Sequence, residues 1–222
     1  MITKVGVTIF ALLVLMLSSR AEPLDAWNAL NEKQHALLNS GKQVLVTEKI
    51  QDTPWPYFHI YFLVHATPMQ AAAVFWDAPR APHFIPHCLN VTVCTRPAAN
   101  VAVVDYELQV PFFSNEVSKV RNILKSLPQD RGYEVSWNVL HSKYSKSGRG
   151  SFLVVPHEKE SLICYSNFID PGSIIATVLR RYAERQVQEV AVAIADQIEH
   201  EAQHDPELMR QQEEELKKAL EN

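Results

Sequence analysis

The spacing of apolar positions along this 222-residue chain changes character several times, and each change predicts an element. Leu30, Leu37 and Leu38 stand at helical spacing within Ala26–Leu38, and Ser40-Gly41 supplies a helix stop. From Gln43 the period shortens to two. Val44–Val46 is a short, mostly β-branched run. Tyr57–His65 sorts into one face of Phe58, Ile60, Phe62 and Val64 and another of Tyr57, His59, Tyr61 and His65. Pro54 and Pro56 between these stretches predict a hairpin turn. Thr67 followed by Pro68 reads as an N-cap and a first helical residue, opening a helix over Met69–Trp76. A further helical turn over Arg80–Ile85 is bounded by Pro79 and Pro86.

Strand spacing then resumes in Val91–Thr95, Val101–Val110, Tyr133–Leu140, Gly150–Val155 and Leu162–Phe168, separated by turn-rich pieces such as Arg96-Pro97 and Lys146-Ser147-Gly148. Ala102, Val104, Tyr106, Leu108 and Val110 share a face opposite Asp105, Glu107 and Gln109. One face is buried and the other wet, as in an antiparallel sheet. Glu116–Leu127 fits helical spacing at Val117, Val120, Ile123, Leu124 and Leu127, but the order of its neighbours favours a strand for its first half. Asp170-Pro171-Gly172 is a hard stop. After it, Ile175, Val178, Leu179, Tyr182, Val187, Val190, Ile194 and Ile198 form one stripe of a long amphipathic helix. Asp205-Pro206 breaks that helix, and 205–222 reads as a charged tail with little to bury.

The amino terminus changes the picture of where the chain works. Met1–Lys4 is a short basic start, Val5–Leu17 an almost unbroken apolar run, and Ser19 and Ala21 flank Arg20 at a small-x-small exit. Together these describe a secretory signal over 1–21 and predict a secreted or periplasmic product. The run is short for a membrane span. The chain carries 21 Lys+Arg against 25 Asp+Glu, and losing Lys4 and Arg20 makes the balance more acidic still. No basic cluster is interleaved with aromatics, which argues against nucleic acid as a partner, and the charge disfavours tight docking on anionic lipid. Three cysteines remain, Cys88, Cys94 and Cys164. If Leu89–Thr95 is extended, Cys88 and Cys94 lie about 20 Å apart, beyond disulfide reach. A Cys94–Cys164 pair across neighbouring strands and a local loop both stay open, and none of the three has the partners of a nucleophile.

The order of elements is a hairpin, two short helices, several antiparallel strands and one long amphipathic helix. It resembles the START/Bet v 1/polyketide-cyclase (SRPBCC) superfamily. Ala66-Thr67-Pro68 running to Phe75-Trp76-Asp77 is similar to that superfamily's first helix. Phe84-Ile85-Pro86 before Leu89–Val93 resembles its return to the sheet, and Ile169-Asp170-Pro171-Gly172 leading to Leu179 resembles the start of its closing helix. Leu38-Asn39-Ser40-Gly41 is similar to secreted bacterial members with an extra leading helix. The resemblance spans roughly Asn39–His204. It implies an α+β helix-grip fold, a curved antiparallel sheet wrapped around a long C-terminal helix. The leading helix would occupy 22–41 and the START-like domain 42–204.

The function implied is binding, and transport, of a lipid, fatty acid or sterol-like ligand in an internal cavity, with transient membrane contact left open. The candidate wall residues are Phe62, Tyr106, Leu108, Trp137, Tyr165, Ile175, Leu179 and Tyr182, where Tyr and Trp can offer an O–H or N–H to a polar headgroup. The resemblance also admits an enzymatic alternative, a cyclase or hydrolase using the same cavity, for which Asp105, Asn138 and His141 are the polar residues near the sheet.

A competing motif is His200-Glu201-Ala202-Gln203-His204, which matches H-E-x-x-H. Two His one turn apart can share a zinc ion with the Glu as general base, and Glu213, Glu214 or Glu215 are the third-ligand candidates. The motif stands at the fraying end of the closing helix beside Glu199, Asp205 and Pro206, which favours a structural role. No P-loop, dinucleotide fingerprint or G-x-S-x-G is present, and no cofactor or metal is expected.

Overall fold

A computed structural model describes residues 26–110, 113–171 and 176–221, and the side chains of all of these but 130, 176–179 and 181. The expected leader at 1–21 lies outside these residues. Among the described residues eight strands and four helices follow in the order α1 (Glu32–Asn39), β1 (Val44–Glu48), β2 (Tyr57–Val64), α2 (Pro68–Trp76), β3 (Cys88–Ala98), β4 (Val101–Leu108), β5 (Glu116–Ser126), β6 (Tyr133–Ser142), β7 (Ser147–His157), β8 (Glu160–Asp170), α3 (Ala176–His204) and α4 (Pro206–Leu220). A 3-10 turn, Ala78–His83, follows α2. The strands make one antiparallel sheet in the order β1-β2-β8-β7-β6-β5-β4-β3. The first hairpin therefore pairs with the last strand, with Ile60 opposite Tyr165. The result is the helix-grip architecture. The sheet curves around α3, which lies over β2 and β8, while α2 lies over β6 and β7.

Local chemistry sets the short helices. Thr67 and Gln70 cap each other's backbone N–H groups at the start of α2, with Pro68 in its first turn. Ala71, Ala72, Ala73 and Val74 are buried, and side chains this small let α2 approach both the sheet and α4. Asn31 and Gln34 make the same reciprocal cap for α1, so that helix starts at Glu32 instead of Ala26. It lies on the convex face of the sheet, where Leu30 and Leu38 pack with Val44 and Leu162, and Trp27 stacks between His35 and His157.

Three expectations change. β5 is a strand along its whole length, with Glu116, Ser118, Val120, Asn122 and Leu124 on the buried side. Its alternation is hard to read because three of those inward positions are polar. The segment after Pro206 buries more than its composition promises, since Met209, Gln212, Leu216 and Ala219 form a narrow stripe of α4 packed against α2. Only two of these are large apolar residues, so the stripe hides among charges. The cysteines are all free. Cys94 lies on edge strand β3 and Cys164 on β8, with β4, β5, β6 and β7 between them, so those two cannot pair. Among the described residues no helix is long and apolar enough to cross a membrane.

The C-terminal half of α3 is fixed by a buried charge. Glu201 is 1% exposed, and one carboxylate oxygen accepts hydrogen bonds from Arg80 Nη2 at 2.8 Å and Gln197 Nε2 at 2.6 Å. The pair ties α3 to the turn after α2. Removing Glu201 leaves a half-buried guanidinium without its counter-charge, whereas the pairs on the outside of α4, such as Glu207–Arg210, are solvent-screened. Glu201→Ala is expected to cost about 3 kcal/mol in urea unfolding. Glu207→Ala, which removes only a solvent-screened pair, should leave the unfolding midpoint nearly unchanged. Equal effects of the two substitutions would contradict this account of what anchors α3.

Candidate ligand-binding cavity

Between the inner face of β4–β8 and the first half of α3 the helix stands off the sheet, leaving a cavity of about 350 Å³. Its wall is mostly apolar. Phe75 on α2, Trp137 on β6 and Tyr165 on β8 face one another, with ring centroids 5.9 Å (Phe75–Trp137), 5.5 Å (Trp137–Tyr165) and 6.3 Å (Phe75–Tyr165) apart. Phe75 is backed by Phe152, stacked at 4.2 Å. The roof is the Tyr182, Ala183, Gln186, Val187 and Val190 side of α3. The rim is built by Phe84–Cys88 after the 3-10 turn, Gln109–Val110 after β4, the Tyr144–Ser145 turn and Pro171. His87, on that rim, has a backbone φ of 62°.

The floor is open because β7 carries glycine where it faces inward. Gly150 lies directly opposite Trp137 across the β6–β7 ladder, and a methyl group added there would collide with the indole ring and with the Ser166 carbonyl. At Gly148 a methyl would come within 2.7 Å of a Val139 side-chain carbon. A bulky indole and a bare backbone thus share one site, and the indole is accommodated only because nothing projects from Gly150.

Polar groups on the wall fall into two sets. The charged ones are engaged. Glu116 accepts from the Ser142 hydroxyl and from the Lys143 and Tyr144 backbone N–H groups, closing the β6–β7 turn. Asp77 accepts from Gln212 and has Arg80 nearby; burial raises its pKa against those two favourable contacts. The Arg149 side chain points to the opposite face, over Phe168 and Tyr57. The neutral set faces the cavity: Tyr106, Ser118, Asn122, Trp137 and Tyr165. Asn122 donates to the Tyr106 hydroxyl at 3.4 Å. Burial raises the pKa of both Tyr106 and Tyr165, so both phenols are O–H donors throughout the physiological range. Burial likewise pushes the Cys88 thiol, on the same wall, up to about 11.

Of the wall residues expected from sequence, Tyr106, Leu108, Trp137, Tyr165 and Tyr182 line this cavity. Phe62 does not. It is 3% exposed in the core, because α3 rests directly on β2 and covers it. Ile175 and the side chain of Leu179 lie outside what is described. Sequence reasoning missed Phe75, whose place in an alanine-rich helix looks like plain packing. It also missed Ser118 and Asn122, on a segment expected to be a strand only in its first half. The inward polar positions of β5 were the available signal.

The alternative constellations come apart. Lys119 pairs with Asp105 at 2.6 Å on the convex face, and Asn138 and His141 are exposed there too, so none of the three polar residues of the enzymatic alternative reaches the cavity. In the H-E-x-x-H stretch, His200 and His204 stack on the exposed side of α3 while Glu201 turns inward to Arg80. Glu214 and Glu215 pair with Arg210 and Lys218. Among the described residues no three His, Cys, Asp or Glu side chains converge as a metal site.

Solved structures share this fold. A STAR-related lipid transfer protein from Xanthomonas axonopodis superposes with a TM-score of 0.62 at 13% identity, over 70% of this chain and 93% of that one. Human STARD10 gives 0.53 at 13% identity, over 81% and 85%. The Zhui aromatase/cyclase from Streptomyces gives 0.52 at 13%, over 66% and 93%. No family model matches the sequence, and no curated protein matches it. The fold is thus that of the START/SRPBCC proteins, reached with little sequence in common.

Because Gly150 lies against the Trp137 ring and a backbone carbonyl, Gly150→Ala is expected to lower stability by about 1–3 kcal/mol and displace the indole. Chemical unfolding followed by tryptophan fluorescence measures both effects. An unchanged midpoint and emission maximum would show that the site has slack.

Proposed function

We propose that this protein binds a small hydrophobic molecule in the cavity beneath α3 and carries it outside the cytoplasm. The observation that supports this most directly is the void itself. Protein interiors are packed close to crystal density, so an apolar space of about 350 Å³ is unusual unless something occupies it. An apolar molecule that buries a few hundred Å² there gains about 25 cal/mol per Å² relative to water, which holds it in the protein against release into the solvent. A volume at the lower end of ligand-pocket sizes favours a single ring system or single chain over a two-chain lipid. The names of the structural neighbours, a lipid transfer protein and an aromatase/cyclase, are consistent with an apolar guest.

Binding without turnover is the reading favoured here, because Asp105, Asn138 and His141 face away from the guest and Glu116 is held by three hydrogen bonds. Export rests on the pattern of Met1–Ala21 and gives carriage a purpose, since a water-filled compartment blocks free diffusion of apolar molecules. Brief contact of the rim with a membrane is the proposed route of loading.

Native mass spectrometry of the purified protein should show a population carrying a small apolar adduct that organic extraction removes. Val190→Trp, which places an indole in the roof of the cavity, should reduce that population at least tenfold while leaving the circular dichroism unchanged. An adduct that survives the substitution would move the site elsewhere. The amino-terminal sequence of the exported product is expected to begin at Glu22, and an intact amino terminus at Met1 would overturn the export reading.

A further inference from the structure

We propose that the inner wall selects an uncharged cargo ending in a hydroxyl or carbonyl group, and discriminates against carboxylate- and phosphate-terminated molecules of the same shape. This deepens the container reading and rests on it.

The deep wall carries hydrogen-bonding capacity that the protein itself leaves unused. Tyr165 makes no hydrogen bond through its hydroxyl among the described residues, and Tyr106 only accepts, so its own proton is free to be donated. Asn122 is 8% exposed and donates through its amide nitrogen, which leaves its carbonyl oxygen as an acceptor on the same wall. The Ser118 hydroxyl stands beside Tyr106, its partner across the β4–β5 ladder. The indole N–H of Trp137, whose residue is the ladder partner of Asn122, has no protein acceptor among the described residues. Donors and an acceptor of this kind, half-buried beside apolar rings, match a group that both gives and takes a hydrogen bond. An alcohol does both, and a ketone or ester carbonyl uses the donors.

Among the described residues the same wall offers no compensation for a full charge. Asp77 and Glu116 would repel an anion, and both are already committed to protein donors. Arg149, whose backbone borders the cavity, directs its guanidinium over Phe168 and Tyr57 on the other side of the sheet. Arg80 is held between Glu201 and Asp77. His87 is exposed to solvent on the rim, where a charge on its ring is hydrated. An ionised carboxylate placed among Tyr106, Asn122 and Tyr165 would give up its hydration for neutral donors alone, and a group in that position is excluded or protonates. The phenols, held neutral by burial, supply O–H donors without supplying charge.

The test uses two matched pairs in isothermal titration calorimetry at pH 8, where a carboxylic acid is fully ionised. These are 2-naphthol against 2-naphthoate, and 1-decanol against decanoate, with naphthalene as a probe of the apolar wall alone. The alcohol of each pair is expected to bind at least about tenfold more tightly than its carboxylate. Tyr106→Phe and Tyr165→Phe together should bring each pair to within about threefold while leaving naphthalene affinity unchanged, and thermal melts verify folding. Carboxylates that bind as well as the alcohols would overturn the selectivity, yet leave the container standing. If none of the five compounds binds, the container reading falls with it. Loss of naphthalene binding in the double variant would mean that the phenols shape the wall instead of reading the head group, and that too overturns the proposal.

Discussion

The long helix has to be held down at one end and held off at the other. At its C-terminal end, Ala191, Ile194 and Ile198 are fully buried, and the Glu201 carboxylate accepts from Arg80 on the turn behind α2. Toward its N-terminal end, Tyr182, Gln186 and Val190 look across open space at the sheet. The apolar seam and the buried charge together set the angle at which α3 crosses, and the cavity is the wedge left between a fixed end and a raised one. Apolar burial gives the seam its strength but little direction. The charge pair specifies the direction, because a buried carboxylate that misses its guanidinium is strongly penalised. α4 reinforces the fixed end by covering α2, with Leu216 completely buried and Gln212 bonded to Asp77.

The raised end stays raised through the placement of large and small residues. Phe75, Trp137 and Tyr165 lean on one another, and Phe75 is backed by Phe152, so none collapses into the void on its own. Gly148 and Gly150 clear the surface on which Val139 and Trp137 lie, and the alanines of α2 bring Phe75 close enough to complete the cluster. The wall is thereby a self-supporting arch of rings, and its polar atoms are positioned by the strands and not by mobile loops. Tyr106, Ser118 and Asn122 come from adjacent β4 and β5, whose ladder register runs unshifted from Val101 to Leu108.

Much of this was legible from residue order alone. The hairpin, the Thr67-Pro68 cap, the alternation in β4 and the stop at Asp170-Pro171 correspond to elements in the folded chain, and Tyr106, Leu108, Trp137, Tyr165 and Tyr182 lie on the cavity wall. What escaped has a common physical cause. Binary patterning reports which positions are hidden from water, and it fails where a hidden position is polar or where a hidden position is merely packed. Ser118 and Asn122 made β5 look irregular because a cavity wall can carry groups that a solid core cannot. Phe62 looked like a wall residue because its alternation is perfect, but the helix above it leaves no gap. Gln212 and Ala219 concealed the buried stripe of α4 in the same way.

The void under α3 has one further consequence. The apolar groups that line this space of about 350 Å³ lack the packing partners that a solid core would give them. A guest of the proposed kind would supply those partners and so act as a detachable part of the hydrophobic core. By mass action, a guest at a hundred times its dissociation constant adds about 2.7 kcal/mol to the folded state. Where proteases survey transiently opened chains, survival tracks that free energy, so a guest of the proposed kind would tie the protein's abundance to how much guest its surroundings contain.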